Sequence, residues 1–213
     1  MKLKGVIFDL DGTLLDSMLV WANISGRYLQ SVGRIPSPDL RGKIKTLSLL
    51  QSAQLLREQY QLPYTNEEIC QQINALIEDQ YLSFVSLKPH VLDFLQRLNK
   101  AGVKMCIATA TDRYLVEAAL KRLEIAEYFS FIVTCGEVGC GKDESVIFHK
   151  ALELLNTQLN ETVIFEDALH AIMSAKVAGF MVVGVQDSSA ETDKDEIMAI
   201  ADRYIYSFKE WEV

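Results

Sequence analysis

The sequence predicts an α/β protein: a parallel sheet sandwiched by helices, with an all-helical insertion directly after the first strand. Three observations carry this. The apolar run Val6-Ile7-Phe8 stops at Asp9-Leu10-Asp11-Gly12-Thr13, as a buried strand bounded by turn residues does. From Val103 onward, short apolar runs alternate with segments of helical period, the pattern of repeated βα units with right-handed crossovers. Between these two parts, residues 17 to about 84 show helical spacing and capping signals, and no strand.

Taken in order, Asp16-Ser17 reads as the cap of a helix reaching about Gly33, with Met18, Trp21, Ile24, Tyr28 and Leu29 on the helical repeat. Pro36-Ser37-Pro38 breaks it. A basic knot, Arg41-Gly42-Lys43-Ile44-Lys45, precedes a helix expected over about 46–60. Leu62-Pro63-Tyr64 turns the chain, and Thr65-Asn66-Glu67-Glu68 is a capping signal for a helix reaching about Phe84. Pro89 starts a helix to Lys100, closed by Ala101-Gly102. Strands then follow over 103–108, 131–133, 163–165 and 181–185, with helices over 112–123, about 143–155 and 168–178 between them. Residues 187–196 read as a polar surface loop leading into a short helix. The expected division is a Rossmann-like core from residues 1–16 and 85–213, and a helical cap from 17–84. The cap leaves the core beside Asp9 and Asp11, which places it over their carboxylates.

Composition narrows the function. An apolar share of 49% over 213 residues is ample for a sizeable core. No apolar run approaches the roughly 20 residues that span a bilayer, and the N-terminal residues lack a signal-peptide cleavage pattern. A cytoplasmic protein without a membrane role is expected. A net charge of -8, with no basic stripe, argues against nonspecific nucleic-acid binding. Nothing calls for an obligate protein partner. Cys70, Cys106, Cys135 and Cys140 lack paired metal-ligand spacing and read as reduced, mostly core residues.

The chemistry concentrates at strand ends. Asp9 and Asp11 sit where the first strand leaves the sheet, the place where open α/β sheets bind ligands. They would point to opposite faces if the strand continued, so they cooperate only if the chain turns at Leu10-Asp11, which Gly12 makes easy. Crowded carboxylates repel, and a hard, oxygen-preferring cation such as Mg2+ relieves that repulsion. Taken alone, the pair also fits a helix cap with solvated acids. Glu166-Asp167 ends a later strand in the same way, so Asp9, Asp11 and Asp167 can converge on one Mg2+, with Glu166 as a further ligand or a ligand's neighbour. Thr109-Ala110-Thr111 is a strand-to-helix turn whose hydroxyl and free N–H groups suit an anion. Asp112 would oppose an anion and is expected to face outward as a cap. Lys142, on the Gly139-Cys140-Gly141 loop, can neutralise Asp9 against a phosphoryl group. The candidate phosphate- and substrate-binding residues are Thr13, Thr109 and Ala110; Arg41 and Lys45 of the basic knot could grip a distal anionic group if they face inward, and a solvated cluster is the alternative.

Asp9-Leu10-Asp11-Gly12-Thr13-Leu14 resembles the first motif of the haloacid dehalogenase superfamily, mostly phosphatases. Thr109, Lys142 and Asp167 match its second, third and fourth motifs in order, so the resemblance covers essentially the whole chain, in the branch of helical-cap phosphatases and β-phosphoglucomutases. It implies that Asp9, Asp167 and the Asp11 backbone carbonyl hold Mg2+. Asp9 would attack phosphorus to give an aspartyl phosphate, and Asp11 would carry the proton. Lys142 and Thr109 would hold the equatorial oxygens. Asp11 argues against carbon–halogen chemistry, because the dehalogenases lack the second aspartate. Two departures stand out. Asp143-Glu144-Ser145-Val146 replaces the common Pro-x-Pro-Asp, and Ala168-Leu169-His170-Ala171 loses a serine that would brace Asp167. β-Phosphoglucomutases place a histidine where this chain has Trp21, for which packing is the expected role.

The expected activity is therefore Mg2+-dependent hydrolysis of a small phosphate monoester, such as a sugar phosphate, a nucleotide monophosphate or phosphoglycolate. The alternatives are a β-phosphoglucomutase-like mutase and a non-catalytic module that binds phosphoryl ligands.

Overall fold

The computed structural model describes residues 3–44 and 47–212. In chain order it contains β1 (Gly5–Phe8), β2 (Leu15–Asp16), α1 (Met18–Trp21), α2 (Ile24–Ser31), α3 (Leu40–Ile44), α4 (Leu49–Tyr60) and α5 (Asn66–Ala75). A π-helical turn over Gln80–Phe84 follows, then β3 (Ser86–Leu87), α6 (Val91–Lys100), β4 (Lys104–Thr109) and α7 (Arg113–Arg122). The remainder is β5 (Ile132–Thr134), α8 (Cys135–Val138), α9 (Val146–Leu155), β6 (Thr162–Glu166), α10 (Leu169–Val177), β7 (Met181–Val185), α11 (Lys194–Ile200) and β8 (Arg203–Ile205).

Six strands form one parallel sheet in the order β5-β4-β1-β6-β7-β8. β1 lies at the centre, and its neighbours β4 and β6 are far away in sequence, so the chain crosses over on both sides of it. Alternate side chains of a strand point to opposite faces, and the core divides accordingly. Val6 and Phe8 pack with Phe94, Leu115, Phe165 and Phe208 on one face. Ile7 packs with Cys106, Phe148, Ile164 and Ile172 on the other. The Phe8 and Phe165 rings stack at 5.2 Å between centroids, which ties the two central strands together just below the site.

The all-helical insertion is present as expected, with differences that have local causes. The helix expected over 17–33 is two helices, because Asn23 takes a left-handed conformation (φ 72°) that asparagine tolerates. The Asn23 side chain then lies where a Cβ at position 26 would stand, and only Gly26 leaves that room. Ser48 caps α4 with Gln51 in a reciprocal box, so that helix starts after the expected Thr46, which lies outside the described residues. Thr65 and Glu68 cap α5 as expected. The helix expected to reach Phe84 is interrupted after Ala75 and resumes as the π-helical turn, closed by the Val85 N–H on the Gln80 carbonyl at 2.8 Å. Several short elements, among them three strands, have no forerunner in the sequence reading. β8 is a three-residue edge strand, and β2 pairs with β3 in an antiparallel ribbon where the chain leaves and re-enters the core.

α9 begins at Val146 rather than near 143, and α8 follows β5 through a Thr134–Glu137 capping box. Among the described residues, no helix is long and apolar enough to cross a membrane.

Candidate active site

The site lies at the C-terminal ends of β1, β4 and β6, the end of a parallel sheet where ligands bind. The Asp9 N–H extends the β1 ladder by one bond to the Phe165 carbonyl at 2.9 Å. The chain then turns: the Leu10 carbonyl accepts from the Leu14 and Leu15 N–H groups at 2.9 and 2.8 Å. Gly12 sits in this turn at φ +86°, and a Cβ there would lie 2.4 Å from Asp167 Oδ2. Glycine is thus required twice, for the backbone angle and for the approach of Asp167.

Four charged side chains meet under this turn, all nearly sealed from solvent: Asp9, Lys142, Glu166 and Asp167. The Lys142 ammonium donates to Asp9 Oδ1 and, at 2.8 Å, to Glu166 Oε2. Glu166 Oε1 accepts from the Asp167 and Ala168 N–H groups, both at 3.1 Å, so both of its oxygens are engaged. Asp167 Oδ1 accepts from the Thr13 hydroxyl at 3.0 Å. Oxygens of Asp9, Glu166 and Asp167 all lie within 4.8 Å of one another, close enough to share a metal ion. The loop carrying Lys142 is held from α10, where the Ser174 hydroxyl donates to the Lys142 carbonyl.

Three carboxylates around one ammonium leave an excess of buried negative charge. Burial and then the Glu166 charge raise the Asp9 pKa to about 6, against the pull of Lys142. Burial, Glu166 and Asp9 push Asp167 well above the ordinary carboxylate range. Burial works against the Lys142 charge, yet Asp9 and Glu166 outweigh it and hold the lysine protonated.

Asp11 points elsewhere. Its carboxylate accepts three hydroxyl groups: Ser17 at 2.5 Å, Thr111 at 2.6 Å and Tyr81 of the π-helical turn. Its side chain is absent from the three-acid group. Burial, followed by the Asp9 charge, raises its pKa. Thr109 is buried, and its hydroxyl accepts from the Thr111 N–H at 3.1 Å, which shapes the turn after β4. Ala110 is exposed on that turn.

Several expectations need correction. Asp112 stands at the N-cap position of α7 and is partly exposed, but its side chain makes no capping bond: its carboxylate accepts from Asn74 of α5 at 2.5 Å and joins the inserted helices to the core. The missing serine after Asp167 does not leave that carboxylate unbraced, because Thr13 supplies the hydroxyl from the turn after the neighbouring strand β1. Trp21 does more than pack, since its indole N–H donates to the Tyr81 hydroxyl at 2.6 Å. In the basic knot, Arg41 is exposed and Lys43 pairs with Asp39 one turn away at 2.8 Å. Lys45 lies outside the described residues.

Sequence reasoning gave Ser17, Tyr81, Thr111 and Lys88 no individual role in the site. The Lys88 ammonium donates to the Gly12 carbonyl at 2.6 Å, to the Gln186 carbonyl and to Asp187 at 3.0 Å. It thereby pins the turn after β1 to the loop after β7. Thr111 was visible only as the second threonine of Thr-Ala-Thr. Tyr81 carries no motif at all, and its role depends on tertiary placement. The four cysteines are free thiols.

The family model described as haloacid dehalogenase-like hydrolase matches residues 6–185 of this chain. A phosphorylated carbohydrates phosphatase of Thermotoga maritima is 26% identical over 177 residues, which cover 83% of this chain and 82% of that protein. The crystal structure of CbbY from Rhodobacter sphaeroides in complex with phosphate superposes with a TM-score of 0.84 at 22% identity, covering 98% and 96% of the two chains. A β-phosphoglucomutase from Clostridium difficile superposes with a TM-score of 0.80 at 20% identity, covering 99% and 93%.

Proposed function

The chain belongs to the haloacid dehalogenase-like hydrolases, and we propose that it is a Mg2+-dependent phosphatase acting on a small phosphate monoester through an aspartyl phosphate on Asp9. One observation carries the reading: Lys142 lies on Asp9, and Asp9 lies within ligand-sharing distance of Asp167 and Glu166 at one strand end.

The residues fit a divalent cation. All donors are oxygens, they carry more negative charge than Lys142 can balance, and they are dry, which suits a hard ion such as Mg2+. Asp9, Asp167 and the Asp11 main-chain carbonyl would hold it. Glu166, with both oxygens occupied, serves as the neighbour that positions Lys142 and caps the turn into α10. When bound, the ion would offset the carboxylate charge and polarise phosphoryl oxygens.

The chain's own groups supply the rest. One Asp9 oxygen forms a bond to phosphorus as the bond to the ester oxygen breaks. Asp11 gives its proton to that leaving oxygen, then takes one from the water that cleaves the aspartyl phosphate. Lys142 and the Thr109 hydroxyl hold the charge spread over the equatorial oxygens, helped by Thr13 and the N–H groups around Ala110. The inserted helices, residues 17–84, would act as a cap that excludes bulk water, and Arg41 and Lys45 would grip the substrate's far end if they turn inward. Sugar phosphates, nucleotide monophosphates and phosphoglycolate are the candidate substrates.

The test is a panel of phosphate monoesters assayed for released phosphate with Mg2+ and with EDTA. Mg2+-dependent release, lost in Asp9→Asn, is expected. An Asp9→Asn protein matching wild type would overturn the reading in favour of a binding module. A sugar phosphate converted to its isomer without phosphate release would replace it with a mutase.

A further inference from the structure

Asp11 accepts three hydroxyl donors, and they come from different parts of the molecule. Ser17 lies just beyond the β2 ribbon, and Thr111 follows β4 in the core. Tyr81 alone comes from the far end of the inserted helices, on the π-helical turn. That turn is fixed to the core by Arg122 of α7, whose guanidinium donates to the carbonyls of Tyr81 (3.1 Å) and Val85. π-Helical turns are uncommon and recur at functional sites. Here the turn delivers one fully buried phenol to one carboxylate.

Trp21 completes the set. Its indole N–H donates to the phenol oxygen at 2.6 Å, and the two rings meet edge to face at 6.4 Å. An indole has a donor and no acceptor, so the phenol oxygen must accept from Trp21. The phenol's one hydrogen is then committed to Asp11. Burial alone would explain why Tyr81 needs a partner. It does not explain why two aromatic residues, 60 positions apart, are spent on aiming a single hydrogen at the proton carrier.

We propose that Tyr81, aimed by Trp21 and anchored through its turn by Arg122, is a positioning residue: it fixes the Asp11 carboxylate for proton transfer to the leaving oxygen. This rests on the assignment of Asp11 as the proton carrier.

The test compares Tyr81→Phe with wild type on two esters: p-nitrophenyl phosphate, whose leaving group departs as a stable anion, and the alkyl monoester turned over fastest in the panel. A group acting through Asp11 on the leaving oxygen matters for the alkyl ester and little for the nitrophenyl ester. The expected result is a loss in kcat of about 10-fold or more on the alkyl ester and under about 3-fold on p-nitrophenyl phosphate. KM should change less than kcat. Asp11→Asn is the comparator and should discriminate between the esters more strongly. If Asp11→Asn loses both activities equally, the proton-carrier assignment itself fails. If Asp11→Asn discriminates and Tyr81→Phe does not, the Tyr81 proposal alone is overturned. Trp21→Phe keeps the tyrosine but removes its aim, so it should discriminate in the same direction by a smaller factor. It decides the question if Tyr81→Phe does not fold, and equal losses on both esters would then overturn the proposal.

Discussion

The Thr13 hydroxyl donates to the Asp167 carboxylate at 3.0 Å, joining strand ends 154 residues apart. Groups that orient a metal ligand typically tune affinity by one to two orders of magnitude. Thr13→Val keeps the shape of the side chain and removes the donor. It should weaken Mg2+ binding about 10-fold, read as a rightward shift in a Mg2+ titration of thermal stability. Thr13→Ser should restore the wild-type curve. An unchanged midpoint in the valine variant would mean that Asp167 is held by other contacts.

Lys142 is the cation that lies directly on the Asp9 and Glu166 carboxylates. Replacing it with methionine leaves Asp9, Glu166 and Asp167 buried without it. Removing one partner of a buried ion pair typically costs about 3 kcal/mol or more, so the metal-free variant should unfold earlier in denaturant. Mg2+ should then stabilise Lys142→Met more than it stabilises wild type, since the ion no longer competes with an ammonium. The phosphatase rate should drop by about 100- to 1000-fold, as for loss of a group that holds developing charge. Equal Mg2+ stabilisation of both proteins would count against a shared site.

Asp9 gives a pH dependence with a definite sign. Its pKa rises from 3.8 to about 6, chiefly through burial. A raised carboxyl pKa contributes stability that is complete below about pH 4 and lost as pH climbs through about 6. In EDTA, this one group should therefore lower stability by about 3 kcal/mol between those limits. The contribution is isolated as the difference between wild type and Asp9→Asn in denaturant melts at several pH values. Saturating Mg2+ should flatten the difference, because a bound cation keeps Asp9 ionised. A difference that instead grew with rising pH in wild type's favour would reverse the assignment.

Much of this arrangement is legible in the sequence because it is local. Val6-Ile7-Phe8 followed by Asp9-Leu10-Asp11-Gly12 predicts a buried strand and a tight exit, and the structure has both. Thr65 with Glu68 spells out a cap that forms. The features that escape are those decided by distant partners. The π-helical turn reads as ordinary helix, and Arg122, 41 residues from Tyr81, holds it. Asp112 has the sequence of a plain helix cap, and its orientation follows Asn74, brought to it by the fold. β8 is too short to signal itself and exists as the partner of β7. The brace on Asp167 is invisible among its sequence neighbours, because Thr13 reaches it through space.

Gly12 offers a test in which strain and collision separate. A side chain there is forced to φ +86° and placed 2.4 Å from Asp167 Oδ2. Gly102 has a similar φ of +73°, and a Cβ added there would meet no atom within 4 Å. Gly102→Ala therefore measures the backbone cost alone, about 1 kcal/mol. Gly12→Ala should cost more, because Asp167 or the turn must move. It should also blunt the rise in thermal stability on adding Mg2+, which Gly102→Ala should leave intact. If the two variants lose the same stability and keep the same Mg2+ response, the close approach of Asp167 to this turn plays no part in holding the ion.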